Sequence, residues 1–201
     1  GKVVPGHRTA FFHKGDYTNT FARKMETPKA RAQYMWYNDE MPYTLENSIR
    51  ADIAGQVLDM IYLKKIREEA SAAYSVSAIG RAQLREDKTH SMMLYAVCPM
   101  KPEKRQEAVS ILEQEVKDLA NTCDASMVAK IKELMLKQAD DAVKSNGYWY
   151  NVIEMYDKYG IDSHSDYKKL IEAQTPETIC SFMKEFNKNG NRLGVVMLPA
   201  E

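Results

Sequence analysis

The longest helical pattern in the chain begins at Leu45 and is followed directly by an alternating segment. Apolar residues recur at a spacing typical of a helix with one broad buried face: Leu45, Ile49, Ile53, Val57 and Ile61. Thr44 precedes the pattern and is expected to cap the helix. Lys64, Lys65 and Arg67 place cations in its last turn, where they complement the helix dipole. This pattern predicts the central helix of the fold.

A strand is predicted immediately after this helix, beginning at Tyr74. Tyr74, Val76 and Ala78 alternate with Ser75 and Ser77, which is the period of a strand with one buried face. The stretch from 44 to 78 therefore reads as helix, tight connection and strand. This order brings the basic end of the helix close to the phenol that opens the strand.

The other strand patterns predict one sheet. Residues 29–37 alternate, with Ala30, Ala32, Tyr34 and Trp36 on one side, and residues 74–84 and 91–98 form a hairpin across the polar group 85–89. Residues 192–198 are apolar on both faces, which favours a central strand. Residues 1–19 read as an irregular lead-in with a short edge strand.

Helices fill the interval between the hairpin and the last strand. The predicted start and stop signals are Pro102 at the first helix, Asp124 or Ser126 at the second, and Gly160 at the end of a third that spans 149–159. Two shorter helices follow, at 166–173 and after Thr175-Pro176-Glu177. Trp149 is expected to anchor its helix against a neighbour rather than to form a stacking platform for a ligand.

This order of elements predicts an α+β fold over a single domain, residues 1–201. Strand and helix alternate too rarely for a doubly wound parallel sheet. We expect a two-layer α/β sandwich, with one antiparallel or mixed sheet and the helices on one face. The hydrophobic fraction of 44% is enough to build such a core.

Charge and composition exclude several classes of function. Lys and Arg together number 28, as do Asp and Glu, so the net charge is zero and no nucleic-acid partner is indicated. No apolar run approaches the ~20 residues of a membrane span, which predicts a soluble chain. Residues 1–4 contain neither an initiator Met nor the apolar region of a signal peptide, so we expect a piece of a longer protein. A periplasmic or other extracytoplasmic location would require a signal peptide in the parent chain.

At the end of the central helix the chain resembles a known family. Arg67-Glu68-Glu69-Ala70-Ser71-Ala72-Ala73-Tyr74 is similar to the Arg-x6-Tyr signature of the non-zinc, C-terminal domain of pitrilysin/insulinase zinc metallopeptidases. Further landmarks agree in order and spacing: Met25 to Ala30, Cys98-Pro99, Ser145 to Trp149, and Val195 to Pro199. Relatives usually carry glycine where Ser71 and Ala72 stand. The resemblance implies the fold of a mitochondrial-processing-peptidase-like metallohydrolase domain.

The resemblance also implies a role in peptide hydrolysis. In this family a homologous zinc-bearing domain or subunit holds the metal on a His-x-x-Glu-His helix. That motif is absent here, so this chain is expected to carry no zinc and to be inactive in isolation. Arg67 and Tyr74 are implied to reach the peptide substrate at the zinc of the partner, while this domain closes the chamber. A non-catalytic peptide-binding or scaffold subunit of the same family is the alternative.

Residue types alone support more ordinary interpretations of the candidate residues. Arg67 fits a cation that complements a helix end, and Tyr74 fits a core aromatic at the start of a strand. The four histidines, His7, His13, His90 and His164, lack the spacing of a metal site and are expected to be solvated. The three cysteines are odd in number and widely spaced, so they indicate neither a disulfide framework nor a thiolate zinc site.

Overall fold

A five-stranded mixed sheet with helices on one face forms the architecture of the chain. The structure, a computed structural model, describes residues 13–200. The strands are β1 (Asp16–Arg23), β2 (Ala30–Asn38), β3 (Ser77–Leu84), β4 (His90–Met100) and β5 (Asn191–Pro199). Their order in the sheet is β1-β5-β2-β4-β3. Only β1 and β5 run parallel, and the other neighbours are antiparallel. The predicted α+β sandwich is therefore confirmed.

Within the described residues, six α-helices follow the order that the sequence predicts. They are α1 (Leu45–Tyr62), α2 (Arg105–Asp118), α3 (Ala125–Ala142), α4 (Asn146–Tyr159), α5 (Tyr167–Glu172) and α6 (Pro176–Phe186). A 3-10 turn, Pro102–Lys104, precedes α2, and another, Asn187–Asn189, follows α6.

The predicted helix caps are present in the structure. The hydroxyl of Thr44 accepts a hydrogen bond from the backbone N–H of Asn47, and Thr175 forms a reciprocal capping box with Thr178. Asp124, rather than Ser126, caps α3. Gly160 ends α4 with φ +68°, a left-handed conformation that glycine adopts without strain.

One face of the sheet and helix α1 build the core. Ala30, Ala32, Tyr34 and Trp36 of β2 are buried, as the alternating pattern predicts. The buried side of α1 includes Ile49, Ile53, Val57 and Leu58. The carboxylate of Asp59, in α1, accepts a hydrogen bond from the backbone N–H of Ala78, in β3, at 2.8 Å. This contact fixes the end of α1 against the start of β3.

Two predicted boundaries are wrong. β1 is an eight-residue edge strand with every residue exposed, where the sequence predicted an irregular segment with a short strand; a strand with no buried face has no alternating apolar signal. The part of that prediction on residues 1–12 lies outside the described residues. β3 begins at Ser77 instead of Tyr74. Between the helix and β3 only Ala73 forms a bridge, to Met100, so Tyr74 is not a strand residue.

Candidate functional site: the turn from Arg67 to Tyr74

The segment that carries Arg67 is a π-helix. Helix α1 continues without a break into seven residues of wider winding, Leu63–Glu69. In a π-helix each backbone N–H bonds to the carbonyl five residues earlier, and such segments are rare and frequent at functional sites. The sequence predicted Lys64, Lys65 and Arg67 in the last turn of the central helix. All three lie beyond the end of α1, in the π-helix that continues it, and Arg67 is in the last turn of that segment.

Buried contacts hold the π-helix in place. Ile66 is fully buried, and the hydroxyl of Tyr62 donates to the carbonyl of Leu112 at 2.8 Å. The ammonium group of Lys65 lies 2.5 Å from Oε1 of Glu115, whose side chain is only 9% exposed. Lys65 is therefore a structural cation, tied to α2 by a charge-assisted hydrogen bond.

The turn after the π-helix is closed by backbone hydrogen bonds. The N–H of Ala70 donates to the carbonyl of Lys65 at 3.0 Å, and the N–H of Ala72 to that of Ile66 at 2.9 Å. Ser71, between them, has φ +49°, in the left-handed region. Ala72 is fully buried, and its carbonyl accepts a hydrogen bond from the N–H of Lys101. The turn is therefore anchored to the sheet.

Arg67 and Tyr74 stand at the two ends of this anchored turn with their side chains in solvent. Arg67 is exposed and Tyr74 is 68% exposed. Among residues 13–200, neither the guanidinium nor the phenol has a hydrogen-bond or ion-pair partner. The core interpretation of Tyr74 is therefore wrong. Ser75 and Ser77 give the sequence the alternation of a strand, although the backbone at Tyr74 is not paired with the sheet.

The two side chains offer donors and no base. A guanidinium presents up to five N–H donors and a phenol one O–H, which suit a peptide carbonyl or the oxyanion of a tetrahedral intermediate. Neither side chain is a carboxylate or an imidazole, the groups that most often serve as general bases. The turn can therefore bind and polarise a carbonyl, but a nucleophile must come from elsewhere.

No metal-binding group was found at this turn or elsewhere in residues 13–200. No cluster of three or more His, Cys, Asp or Glu side chains with the geometry to hold a metal ion occurs in that range. His7 lies outside the described residues.

His164, predicted to be solvated, is in fact packed. Its Nδ1 is 2.7 Å from the hydroxyl of Tyr148, and its ring lies 4.8 Å from that of Trp149. The indole N–H of Trp149 donates to the carbonyl of Val143 at 2.8 Å. Trp149 therefore acts as the predicted anchor of α4, although it remains partly exposed.

A polar cluster around Arg192 was not predicted from the sequence. Arg192 on β5 pairs with Asp16 on β1 and with Glu113 on α2, and its guanidinium lies 5.4 Å from the ring centre of Tyr34. Burial raises the pKa of Tyr34 to about 12, and the nearby Glu113 adds to this effect. These residues are far apart in sequence, so no local motif marks them. Because Arg192 is fully paired, the cluster fastens β1 to the domain.

Comparison with known proteins supports the family resemblance. The family model described as the peptidase M16 inactive domain matches residues 8–135, more than half of the chain. No curated protein sequence matches the chain. In the described part of the chain, no helix has the length and apolar character needed to cross a membrane.

Solved structures of proteases share this fold. The periplasmic protease PqqL from Escherichia coli matches with a TM-score of 0.76 and 20% identity over 94% of this chain and 21% of its own. The first half of PqqL matches separately, with a TM-score of 0.65 and 11% identity over 97% of this chain and 45% of its own. The inactive peptidase domain of a zinc protease from Bordetella parapertussis matches with a TM-score of 0.68 and 11% identity, over 89% of this chain and 95% of its own.

The chain spans about a fifth of the length of PqqL. It spans 45% of the separately solved first half of that protein. With the family model matched over most of its length, the chain belongs to the family of the peptidase M16 inactive domain.

Proposed function

We propose that this chain is the substrate-contacting, C-terminal domain of a zinc-dependent endopeptidase, and that Arg67 and Tyr74 act at the metal site of a companion domain. The companion lies in the same parent chain or in a second subunit. It supplies zinc and the glutamate base, which activate water for attack on the peptide carbonyl. Arg67 and Tyr74 donate hydrogen bonds to the substrate, and this domain closes the chamber around it.

The observation that carries the proposal is that Arg67 and Tyr74 have no hydrogen-bond or ion-pair partner among the described residues, whereas the nearby Lys65 is paired. Two residues before Arg67, Lys65 is tied to Glu115, and Lys64 lies 3.9 Å from Glu69. Arg67 has no such partner among the described residues, although carboxylates surround it in sequence. An anchored turn that leaves its donors free is suited to a ligand from outside the domain.

The geometry of Ser71 favours this function over a scaffold subunit. Relatives usually have glycine there, and its absence would favour a turn of different shape. Ser71 nevertheless adopts φ +49°, a conformation that glycine would provide, and Ala72 has no positive φ. The turn therefore supports the same presentation of Arg67 and Tyr74. A scaffold subunit is the second candidate, and turnover of a peptide by the assembled enzyme separates the two.

Turnover of a peptide by the assembled enzyme, companion domain included, tests the proposal. Arg67→Ala and Tyr74→Phe should each lower turnover by about 10² to 10³, the effect of removing one preorganised donor to an oxyanion. Thermal unfolding should hardly change. Glu68→Ala and Ser75→Ala, at exposed neighbouring positions, are the matched controls and should keep normal turnover. Normal turnover in a folded Tyr74→Phe enzyme would move the assignment to a scaffold.

A further inference from the structure

A cavity of about 230 Å³ lies between α2 and the end of the sheet where β5 begins. Trp36 of β2, Val116 of α2 and Phe186 of α6 form its apolar lining, and charged side chains of β1, β5 and α2 form most of the rest. Pockets for drug-sized ligands usually occupy ~300–1,000 Å³. The cavity therefore suits a smaller molecule, one that carries both an apolar part and charged groups.

The indole of Trp36 presents an unpaired donor at this cavity. The residue is only 8% exposed, and its indole N–H has no hydrogen-bond partner among residues 13–200. In that range the unpaired side-chain atoms that are sealed from water belong to Asp39 and Ser91, not to Trp36. Because Trp36 lines the cavity, we infer that its N–H is reached from there. An indole nitrogen only donates, so it favours a ligand that brings an acceptor oxygen.

Helix α2 places opposite charges one turn apart along the wall of the cavity. Glu113 and Lys117 are neighbours on the helix surface at a spacing that favours an ion pair. Glu113 pairs instead with Arg192 of β5. Lys117 is exposed and has no hydrogen-bond or ion-pair partner among the described residues. Its ammonium group is therefore available to a carboxylate of a ligand.

The end of the cavity at Arg192 has an excess of negative charge. Asp16 accepts two hydrogen bonds from the guanidinium of Arg192, both of 2.9 Å, and Glu113 binds the same guanidinium from α2. Two carboxylates thus share one cation. The side chain of Glu113 is 30% exposed, so it keeps contact with solvent. This end of the cavity therefore attracts a positively charged group.

We propose that the cavity binds a free α-amino acid with an apolar side chain. The ammonium group of the ligand lies against Glu113, and its carboxylate accepts hydrogen bonds from Lys117 and the indole of Trp36. The apolar side chain of the ligand packs on Val116 and Phe186. Each charge of the zwitterion then meets the opposite charge of the protein, and the apolar part leaves water.

Isothermal titration calorimetry of the 201-residue chain with L-leucine tests this site. Leucine should bind saturably, with one molecule per chain. L-Leucinamide lacks the negative charge and imitates the N-terminus of a peptide, 4-methylpentanoate lacks the ammonium group, and glycine lacks the apolar side chain. Each should bind at least about 10-fold more weakly than leucine. The proposal is overturned if leucine does not bind at about 10 mM, or if any of the three binds as tightly as leucine.

Substitutions on α2 assign the two ends of the ligand. Lys117→Gln should weaken leucine at least about 5-fold and leucinamide less than about 2-fold, because only leucine brings a carboxylate. Glu113→Gln keeps an acceptor oxygen for Arg192. It should weaken leucine and leucinamide alike, and change the affinity for 4-methylpentanoate less than about 2-fold. Lys130→Gln and Glu133→Gln, at exposed positions of α3 outside the cavity, are the matched controls.

Thermal unfolding of each variant checks that it folds. If Lys117→Gln weakened leucine and leucinamide equally, or weakened leucine no more than Lys130→Gln, the proposed orientation of the ligand would be wrong. Lys117 is exposed, so this arm of the test stands even where Glu113→Gln disturbs the fold.

The fluorescence of Trp36 locates the ligand. The chain contains two tryptophans, so Trp149→Phe leaves Trp36 as the one tryptophan that emits. Leucine should change this emission with the dissociation constant that calorimetry gives, and an unchanged emission at saturation would overturn the site. Arg67 and Tyr74 do not line the cavity, so this inference and the proposed function can each fail while the other stands.

Discussion

The backbones of Gly55 in α1 and Gly80 in β3 are in direct contact. A Cβ on Gly55 would lie 1.9 Å from the backbone nitrogen of Gly80, and a Cβ on Gly80 would lie 1.7 Å from the carbonyl oxygen of Ala51. No side chain fits in either place, so the helix and the strand can approach this closely only with glycine on both. This close approach of α1 to β3 sets the position of the helix. Because the turn that carries Arg67 follows the helix, its position is set as well.

Gly80→Ala should therefore destabilise the domain by about 3 kcal/mol, because the added methyl meets backbone that cannot move without displacing α1. Gly147→Ala is the matched control. Its Cβ would meet only the hydroxyl of Ser145, at 3.5 Å, and alanine suits a helix better than glycine. Urea unfolding of both variants measures the difference. Equal midpoints would show that α1 shifts freely on β3.

In the turn after the π-helix, glycine substitutions at Ser71 and Ala72 should have opposite effects on the free energy of unfolding. Ser71→Gly should stabilise the domain by about 0.5 kcal/mol, since removing a Cβ from a left-handed residue gains more than the added freedom of the unfolded chain costs. Ala72→Gly should destabilise it by about 1 kcal/mol, because it deletes a fully buried methyl. The sequence pattern places both residues in the tight connection between helix and strand, and within that connection Ala72 is buried whereas Ser71 is exposed. Thermal unfolding of the single variants checks the prediction, and a lower stability of Ser71→Gly would contradict it.

Much of this fold follows from local sequence signals. The alternation around Tyr34 predicts a strand with one buried face, and Gly160 and Thr175 mark helix ends because their backbone and side-chain chemistry acts within a few residues. The π-helix does not follow from such signals. Tyr62 and Ile66, both buried, are four residues apart, which is equally compatible with an ordinary α-helix. The contact that holds the π-helix, Lys65 with Glu115, joins residues far apart in sequence.

In the candidate site, too, some features follow from local sequence signals and others do not. The spacing of Arg67 and Tyr74 could be read from the sequence, but their exposure depends on where the sheet begins to pair. The cluster around Arg192 exists only once β1 and β5 are in register and α2 lies beside them. The exposure of Arg67 and Tyr74 and this cluster therefore both depend on tertiary structure, which no local pattern encodes.

Asp162 should make the stability of the domain depend on pH in the acid range. Hydrogen bonds from Ser165, and from the backbone N–H of His164, lower the pKa of its carboxyl from 3.8 to about 2. A depressed pKa in the folded state means that the stabilisation is complete above about pH 4 and is lost as the pH falls through 2. Asp162→Asn keeps an acceptor oxygen but loses the charge. The difference in unfolding temperature between the wild type and this variant should therefore shrink from pH 5 to about pH 2. A difference that stays constant over this range would refute the role of the charge.

The free energy of unfolding should distinguish Lys65, which stabilises the fold, from Arg67, which does not. Lys65→Ala leaves the carboxylate of Glu115 nearly buried and unpaired, which should cost about 1 to 2 kcal/mol after allowance for the half-exposed lysine. Adding Glu115→Gln should recover part of this loss, because the orphaned charge is then removed. Arg67→Ala removes no hydrogen bond or ion pair among the described residues and should change the free energy of unfolding by less than about 0.5 kcal/mol. Denaturant unfolding of the four proteins, wild type included, gives the comparison. If Arg67→Ala were as costly as Lys65→Ala, Arg67 would be part of the scaffold of the fold, and its loss could not be read as a loss of substrate contact.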